Sequence, residues 1–392
     1  LPASHYLILS NDNISIHRYW KIESSEAEIS RSDADEEFLS LFDKSIKRRM
    51  RSDVKLGSSL SGGLDSSAIV TSIKHLFPQI ELNTFSARFS GSEKDEGRYI
   101  DIVNKHSQSI PHTVEPNEDQ LIESLEKLFF HQEEPFGSAS IFAQYKVMEL
   151  ANKNETKVLL DGQGADEYLA GYGAYRWSYY KQLKKTKKKL LAQELSDYKT
   201  LYNADYPIGF NFYKDTYIRS LHDKLSSLRR ATKPSTSTYF VGINPEIVAL
   251  NKRMKNPIKL FSNLNDHLEH SLMNKGLREL LRFSDRNSMA HGVEVRLPFL
   301  SHELVQFLFT LPDNCKIGDG WSKHILRTSI NSRMPKEITW RKDKIGYEPP
   351  QDKWLNSGAM KDLLNQSISF LKQEKIITDS YNSLCIITRI FP

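Results

Sequence analysis

One stretch, KLGSSLSGGLDSSAIVTSIKHLF from Lys55 to Phe77, constrains the fold more than any other. A β-like run, Val54 to Leu60, meets an amphipathic helix, Ser66 to His75, with only Ser61-Gly62-Gly63-Leu64-Asp65 between them. Gly62 and Gly63 allow backbone conformations that residues with a Cβ avoid. Ser66 and Ser67 sit where the helix begins, and Asp65 sits beside that N-terminus. Such a turn aims backbone N–H groups and hydroxyls at one point, and the helix N-terminus adds partial positive charge. The ligand that fits is an anion, most often phosphate. Ser and Asp also serve as ordinary helix caps, so the whole string carries the reading. It is not a Walker loop, because no Gly-Lys-Ser/Thr follows at the required spacing.

The flanking sequence alternates. DADEEFLSLFDKSIKRRMRS reads as a helix with Phe38, Leu41, Phe42 and Ile46 on one face. After the loop come a strand (IELNTFSARF), a helix (DEGRYIDIVNKH), a short strand (SIPHTVEP) and a helix capped by Asn117. A further helix (IFAQYKVMELANKN) and a buried strand (KVLLD) follow. This alternation predicts an α/β fold with a parallel sheet flanked by helices. Ligands bind such a sheet beyond the carboxyl ends of its strands. From about Tyr172 the strands fade and the rest reads as mostly helical. The basic run YYKQLKKTKKKLL reads as a solvated helix face rather than a nucleic-acid contact.

With 392 residues, 39% of them hydrophobic and 26% charged, the chain has the composition of a globular protein with a large core. The net charge of +5 does not point to a nucleic-acid partner. Cys315 and Cys385 form neither a disulfide framework nor a zinc pattern, which points to the cytosol. No apolar run approaches the roughly 18 residues of a membrane span. The opening, LPASHYLILSNDNISIHRYW, alternates like two short strands around SNDN. A hairpin this short does not stand alone. Residues 1–23 therefore read as the tail of a preceding domain absent from this sequence, and 24–32 as a polar linker.

KVLLDGQGADEYLAGYGAY supplies a second phosphate-type element. A strand ends at Asp161, Gly162-Gln163-Gly164 turns the chain, and Asp166 and Glu167 follow. The dinucleotide fingerprint fails here, since Glu167 stands where its third glycine belongs. Two carboxylates beside a polyphosphate site are natural magnesium ligands, hard donors for a hard cation. Lys323, Arg327 and Lys344 are cations with no evident carboxylate partner in sequence.

The ordered set SGGLDSS, TFSARFSGSEKDEGRYIDIVNKH, EEPFGSAS, DGQGADEYLAGY, GVEVRLPFL, KHILR and DKIGY resembles the synthetase domain of glutamine-hydrolysing asparagine synthetases, over roughly residues 30–350. The resemblance implies an N-type ATP pyrophosphatase (HUP-like) sheet in 33–171 and a mainly helical part in 172–392, together one synthetase domain. It implies that Ser61, Gly62, Gly63, Asp65, Ser66 and Ser67 form the pyrophosphate loop. Asp65 and Asp166 would hold Mg2+, while Leu60, Ala87, Asp161 and Gly162 would bind the nucleotide. Lys323 and Lys344 would face the phosphates. The implied partners are ATP, ammonia, a small-molecule carboxylate and a glutaminase domain, of which residues 1–23 would be the last strands. A homodimer is compatible with it. Gln163 stands where this family commonly carries Glu, and Gln is no general base. Ser301 stands where PFLD is usual. The resemblance implies an ATP-dependent amide-forming ligase, with asparagine synthesis from aspartate and ammonia through β-aspartyl-AMP as the leading expectation; both departures put the acceptor in doubt and keep a sugar acid, a peptide or a β-lactam precursor as the alternative. A tRNA-modifying sulfur transferase shares the Ser-Gly-Gly loop but needs cysteines this chain does not pattern. A non-catalytic homologue would not be expected to keep Asp65, Asp166, Lys323 and Lys344.

Overall fold

The computed structural model describes residues 1–11, 13–25, 27–206, 243–247, 261, 263–274, 276–343 and 348–378. Two compact units result: Leu1–Tyr202 with Phe261–Pro349, and Asn203–Leu260 with Pro350–Pro392. The first carries everything described below except two helices and one strand bridge.

A five-stranded sheet organises the first unit. Its strands are β3 (Leu56–Ser59), β4 (Asn83–Ala87), β5 (Ile110–Val114), β6 (Val158–Leu160) and β7 (Glu294–Arg296), after the hairpin strands β1 (His5–Ser10) and β2 (Asn13–Arg18). They lie in the order β5-β4-β3-β6-β7, and every pairing is parallel. The chain steps outward from β3 through β4 to β5, then returns to lay β6 on the other side of β3. The order therefore reverses between β3 and β6, and a crevice opens beyond their carboxyl ends.

Burial explains the centre of the sheet. Gly57 and Ser58 are buried in β3, with the Ser58 hydroxyl on the Leu160 carbonyl at 3.0 Å. A Cβ on Gly57 would lie 2.7 Å from the Asn83 carbonyl oxygen and 2.8 Å from the Phe85 ring. Glycine is thus a packing requirement in the middle strand. Helix α1 (Arg31–Arg49) buries Phe38, Phe42 and Ile46, as its periodicity predicts, and Phe42 stacks on Phe299 at 4.7 Å. Its cap is Ser30, which accepts the Asp33 N–H, so the helix begins inside the stretch read as linker. Helix α2 (Leu64–Leu76) is buried from Ser66 to Ile73, which fixes its N-terminus against the sheet. Asn117 caps helix α4 (Glu118–Gln132) as expected, after α3 (Gly97–Ser107).

The amino-terminal hairpin forms around SNDN, with Ser10 opposite Asn13, and its apolar side chains are exposed. Strand β7 is new: EVR is short and polar, and the sequence showed no strand beyond residue 171. In the second unit a helix at Gln351–Leu355 and another at Gly358–Gln373 lie beside the bridge Ile243–Ile377. No helix among the described residues is long and apolar enough to cross a membrane.

Gly57→Ala should lower the unfolding free energy by about 1–3 kcal/mol, the usual penalty for overpacking. Urea unfolding followed by circular dichroism measures it, and an unchanged midpoint would contradict the packing argument.

Candidate functional site

The site lies at the reversal. Leu60, just past β3, donates its N–H to the Phe85 carbonyl at 2.9 Å and accepts the Ser86 hydroxyl at 2.6 Å. It is buried, as is Ala87 at the end of β4. The chain then turns through Gly62, whose φ is +78°. A Cβ there would lie 2.9 Å from Tyr99 Cβ and 3.1 Å from the Ile100 nitrogen. Conformation and space both require glycine. The Ser61 hydroxyl accepts the Gly63 N–H at 3.3 Å and lies 3.1 Å from the Ser66 hydroxyl. Gly63 caps α2 without a side-chain hydrogen bond. The buried Ser67 hydroxyl finds no hydrogen-bond partner among the described residues.

The loop after β6 presses against this one. Asp161 accepts the Gln163 N–H at 3.0 Å, which closes a tight turn. Burial raises the Asp161 carboxyl above its ordinary range. Gly162 packs on Asp65, where a Cβ would lie 3.0 Å from both Asp65 Cβ and the Ser66 nitrogen. Gly164, with φ +93°, leads into the single turn α6 (Ala165–Tyr168), which carries Asp166. Helices α5 (Ser140–Lys153) and α7 (Gly173–Thr186) flank this segment.

One side chain joins the two loops. Lys323 Nζ lies 2.5 and 2.7 Å from the oxygens of Asp65 and 2.6 Å from Asp166 Oδ1. It is 4% exposed. Burial lowers its basicity, but the charges of Asp166 and Asp65 and the hydrogen bonds to them more than compensate, so its pKa lies above the ordinary lysine value. A short hairpin, β8 (Ile317–Gly318) and β9 (Trp321–Ser322), delivers it with φ +51°. The Lys323 N–H is held by the Leu169 carbonyl at 3.2 Å. Glu194, on helix α8 (Lys188–Tyr202), accepts the N–H groups of Asp319 and Gly320 and so anchors that hairpin's turn. Gly171 completes the packing: a Cβ there would lie 1.8 Å from Asp166 Oδ1 and 2.4 Å from Lys323 Cε.

The three charged groups together carry a formal charge of −1. Two hard carboxylates converge on one cation and leave negative charge in excess, and this donor set fits a divalent metal such as Mg2+. Glu167 does not share it. Its carboxylate is buried and accepts the Tyr172 hydroxyl at 3.0 Å, which leaves Asp166 with Asp65, the pair that the resemblance names, on Lys323. Burial first, and the Asp166 charge second, raise the Glu167 pKa.

Ser61, Gly62, Gly63, Asp65, Ser66, Ser67, Asp161, Gly162 and Asp166 thus lie on two touching loops, and Lys323 bridges Asp65 and Asp166. Gln163 adds a buried side-chain oxygen without a hydrogen-bond partner among the described residues. Lys344 lies outside the described residues. Arg327, which has no carboxylate near it in sequence, is held instead by the Ser322 carbonyl at 2.9 Å, the Thr339 carbonyl at 2.5 Å and the Trp321 face. Burial lowers its pKa to about 10. Sequence reasoning missed Gly171, Glu194, Glu96 and Arg341. Of these, Gly171 and Glu96 stood inside recognised motifs, DGQGADEYLAGY and TFSARFSGSEKDEGRYIDIVNKH.

A parallel α/β domain with an anion-ready loop at the reversal of its sheet is, by fold and site, a nucleotide-binding type of domain. The comparisons narrow this. The family model described as asparagine synthase matches residues 37–381, and the chain belongs to that family. It is similar to asparagine synthetase [glutamine-hydrolyzing] 1 of Bacillus subtilis, at 25% identity over 97% of this chain and 59% of that protein. A putative asparagine synthetase of Methanocaldococcus jannaschii is 36% identical over 47% of this chain and 37% of that protein. Amidase chry2 of Gibberella zeae is 24% identical over 89% of this chain and 58% of that protein. The chain spans somewhat more than half the length of the first and third.

The turn beneath Lys323 should titrate. Burial raises the Glu194 carboxyl to about 7 from 4.5. A raised carboxyl adds stability that is complete below pH 4.5 and lost as pH rises through 7. Glu194→Gln removes that slope, so its melting temperature should gain on wild type between pH 5 and pH 8. A difference that does not change with pH would contradict the assignment.

Proposed function

We propose that this chain is an ATP-dependent amide-forming ligase that works through an acyl-adenylate. The observation that supports it most is Lys323 between Asp65 and Asp166, beside an SGGLDSS loop at the sheet reversal. In this reading an acceptor carboxylate oxygen attacks the α-phosphorus of ATP. The bond from that phosphorus to the bridging oxygen breaks, pyrophosphate leaves, and an acyl-AMP remains. A neutral amine then adds to the acyl carbon and expels AMP, and loss of a proton from nitrogen leaves the amide.

Negative charge grows on the pyrophosphate as it departs, and fixed dipoles and cations act most strongly there. The N-terminal amides of α2 and the hydroxyls of Ser61, Ser66 and Ser67 would hold the pyrophosphate. The Lys323 ammonium, already fixed, would need little reorganisation to meet that charge. Asp65 and Asp166 would hold Mg2+, which when bound neutralises phosphate charge. Leu60, Ala87 and Gly162 would border the nucleoside. By the family resemblance, Lys344 would act on the phosphates as well.

For the acceptor we favour aspartate, with ammonia as nitrogen donor and asparagine as product, on the strength of the family and of the synthetase-named relatives. A second reading, with a different carboxylate as acceptor, draws on the amidase-named relatives and on Gln163. A glutamine carbonyl can orient an amine by accepting its N–H but cannot take the proton.

The test is pyrophosphate release from ATP and Mg2+, with ammonia, across aspartate, sugar acids and carboxylate peptides. Release with aspartate, and formation of asparagine, is the expected result; release only with another acid selects the second reading. No acceptor-dependent release would overturn both. Asp65→Ala should abolish release, and a wild-type rate in that variant would remove the loop from the chemistry. Lys344→Ala should lower kcat by ~10²–10³ with little change in ATP affinity, the signature of a contact made as charge develops. Single-turnover adenylation within a few-fold of wild type would leave Lys344 without a catalytic role.

A further inference from the structure

We infer that Arg341 is the positioning residue that fixes the Gly62–Gly63 peptide of the phosphate loop, a role that rests on the nucleotide reading proposed above. Arg341 is 279 residues from Gly62 in the chain, yet its Nη1 donates to the Gly62 carbonyl at 3.3 Å. The same Nη1 donates to Glu96 Oε1 at 2.7 Å, and Nη2 donates to Asp343 at 3.0 Å. The guanidinium carbon stands 3.7 Å over the Tyr99 ring. Both Arg341 and Glu96 are 8% exposed. The Arg341 backbone is held in turn, since its carbonyl accepts Arg327 Nη1 at 3.3 Å. Two carboxylates and an aromatic face thus hold the fork, and the fork holds one glycine carbonyl.

The consequence follows from peptide geometry. There are no cis peptide bonds among the described residues. In a trans peptide the carbonyl of Gly62 and the N–H of Gly63 point in opposite directions in one plane. A carbonyl turned toward Arg341 therefore turns the Gly63 N–H away from it, toward the Ser61 hydroxyl at 3.3 Å. Two successive glycines give little resistance to a flip of the plane between them. A flipped peptide would present an oxygen to the anion where a donor is needed. The first turn of α3 closes the other side, with Tyr99 Cβ, Ile100 N and the Glu96 carbonyl oxygen around Gly62. Glu96 and Asp343 balance the guanidinium charge, so Arg341 acts by orientation rather than as a further phosphate cation. A lysine has the charge but not the planar fork that reaches three acceptors.

Dissociation constants for Mg·ATP, Mg·pyrophosphate and AMP, measured by calorimetry on wild type, Arg341→Met and Arg341→Lys, test this role. Melting curves run alongside. Both variants should bind ATP and pyrophosphate about tenfold more weakly, the scale of one charge-assisted hydrogen bond. Both should bind AMP, which lacks the pyrophosphate, within twofold of wild type. Unchanged pyrophosphate affinity would overturn the inference. An equal loss for all three ligands would also overturn it, since a general folding role predicts that result. If Arg341→Met does not fold, Arg341→Lys decides the question alone. Wild-type protein that binds neither ATP nor pyrophosphate would instead overturn the nucleotide reading itself, whatever the variants do.

Discussion

The candidate site depends on one buried ammonium held by two carboxylates. Lys323 joins the loop after β3 to the turn after β6, and the β8–β9 hairpin brings it there. Buried ion pairs add little net stability, because desolvation offsets most of the attraction. Their geometric effect is larger. Removing Lys323 would leave two carboxylates facing one another without a cation in a closed space, so Lys323 is what holds Asp65 and Asp166 in register. Gly171 is part of the same constraint, since any Cβ there would occupy the space of the Asp166–Lys323 contact.

Around that contact the backbone departs repeatedly from ordinary conformations. Gly62 and Gly164 have positive φ, as do Ala170 and Lys323, which carry side chains. Left-handed non-glycine residues cost roughly 1–3 kcal/mol each and persist where their surroundings over-determine them. Lys323 is over-determined by its backbone bond to Leu169 and its two carboxylates, and Ala170 by near-complete burial. Other left-handed residues lie in turns and at helix ends away from the site, such as Gln108 and Glu133, so what sets Ala170 and Lys323 apart is their burial.

The elements carried by strong local signals were legible in sequence. Asn117 announces α4, the Phe38–Phe42–Ile46 spacing announces α1, and the Ser-Gly-Gly string marks the loop. β7 was not legible, because Glu294-Val295-Arg296 is strand only by pairing with β6. The partners of Lys323 were hidden for a similar reason: pairing across 258 residues leaves no local trace. Nothing local in the sequence ties Arg341 to Glu96 or to Gly62; their contacts join segments 245 and 279 residues apart. Asp166 and Glu167 are neighbours in sequence but part in the structure, since adjacent residues on a helical turn face different directions.

The parallel order of the sheet also has a bearing on how the protein is made. β3 and its loop leave the ribosome before β7 and Lys323, which come more than two hundred residues later in the chain. An incomplete chain that ends before residue 323 holds Asp65 and Asp166 without their cation. Closing a contact of 258 residues costs roughly 5 kcal/mol of chain entropy from the length dependence alone. Such separated contacts slow folding. The nascent polypeptide thus carries two uncompensated acids near its sheet until the ribosome has passed the hairpin, and the candidate site acquires its final shape only after that hairpin has been made.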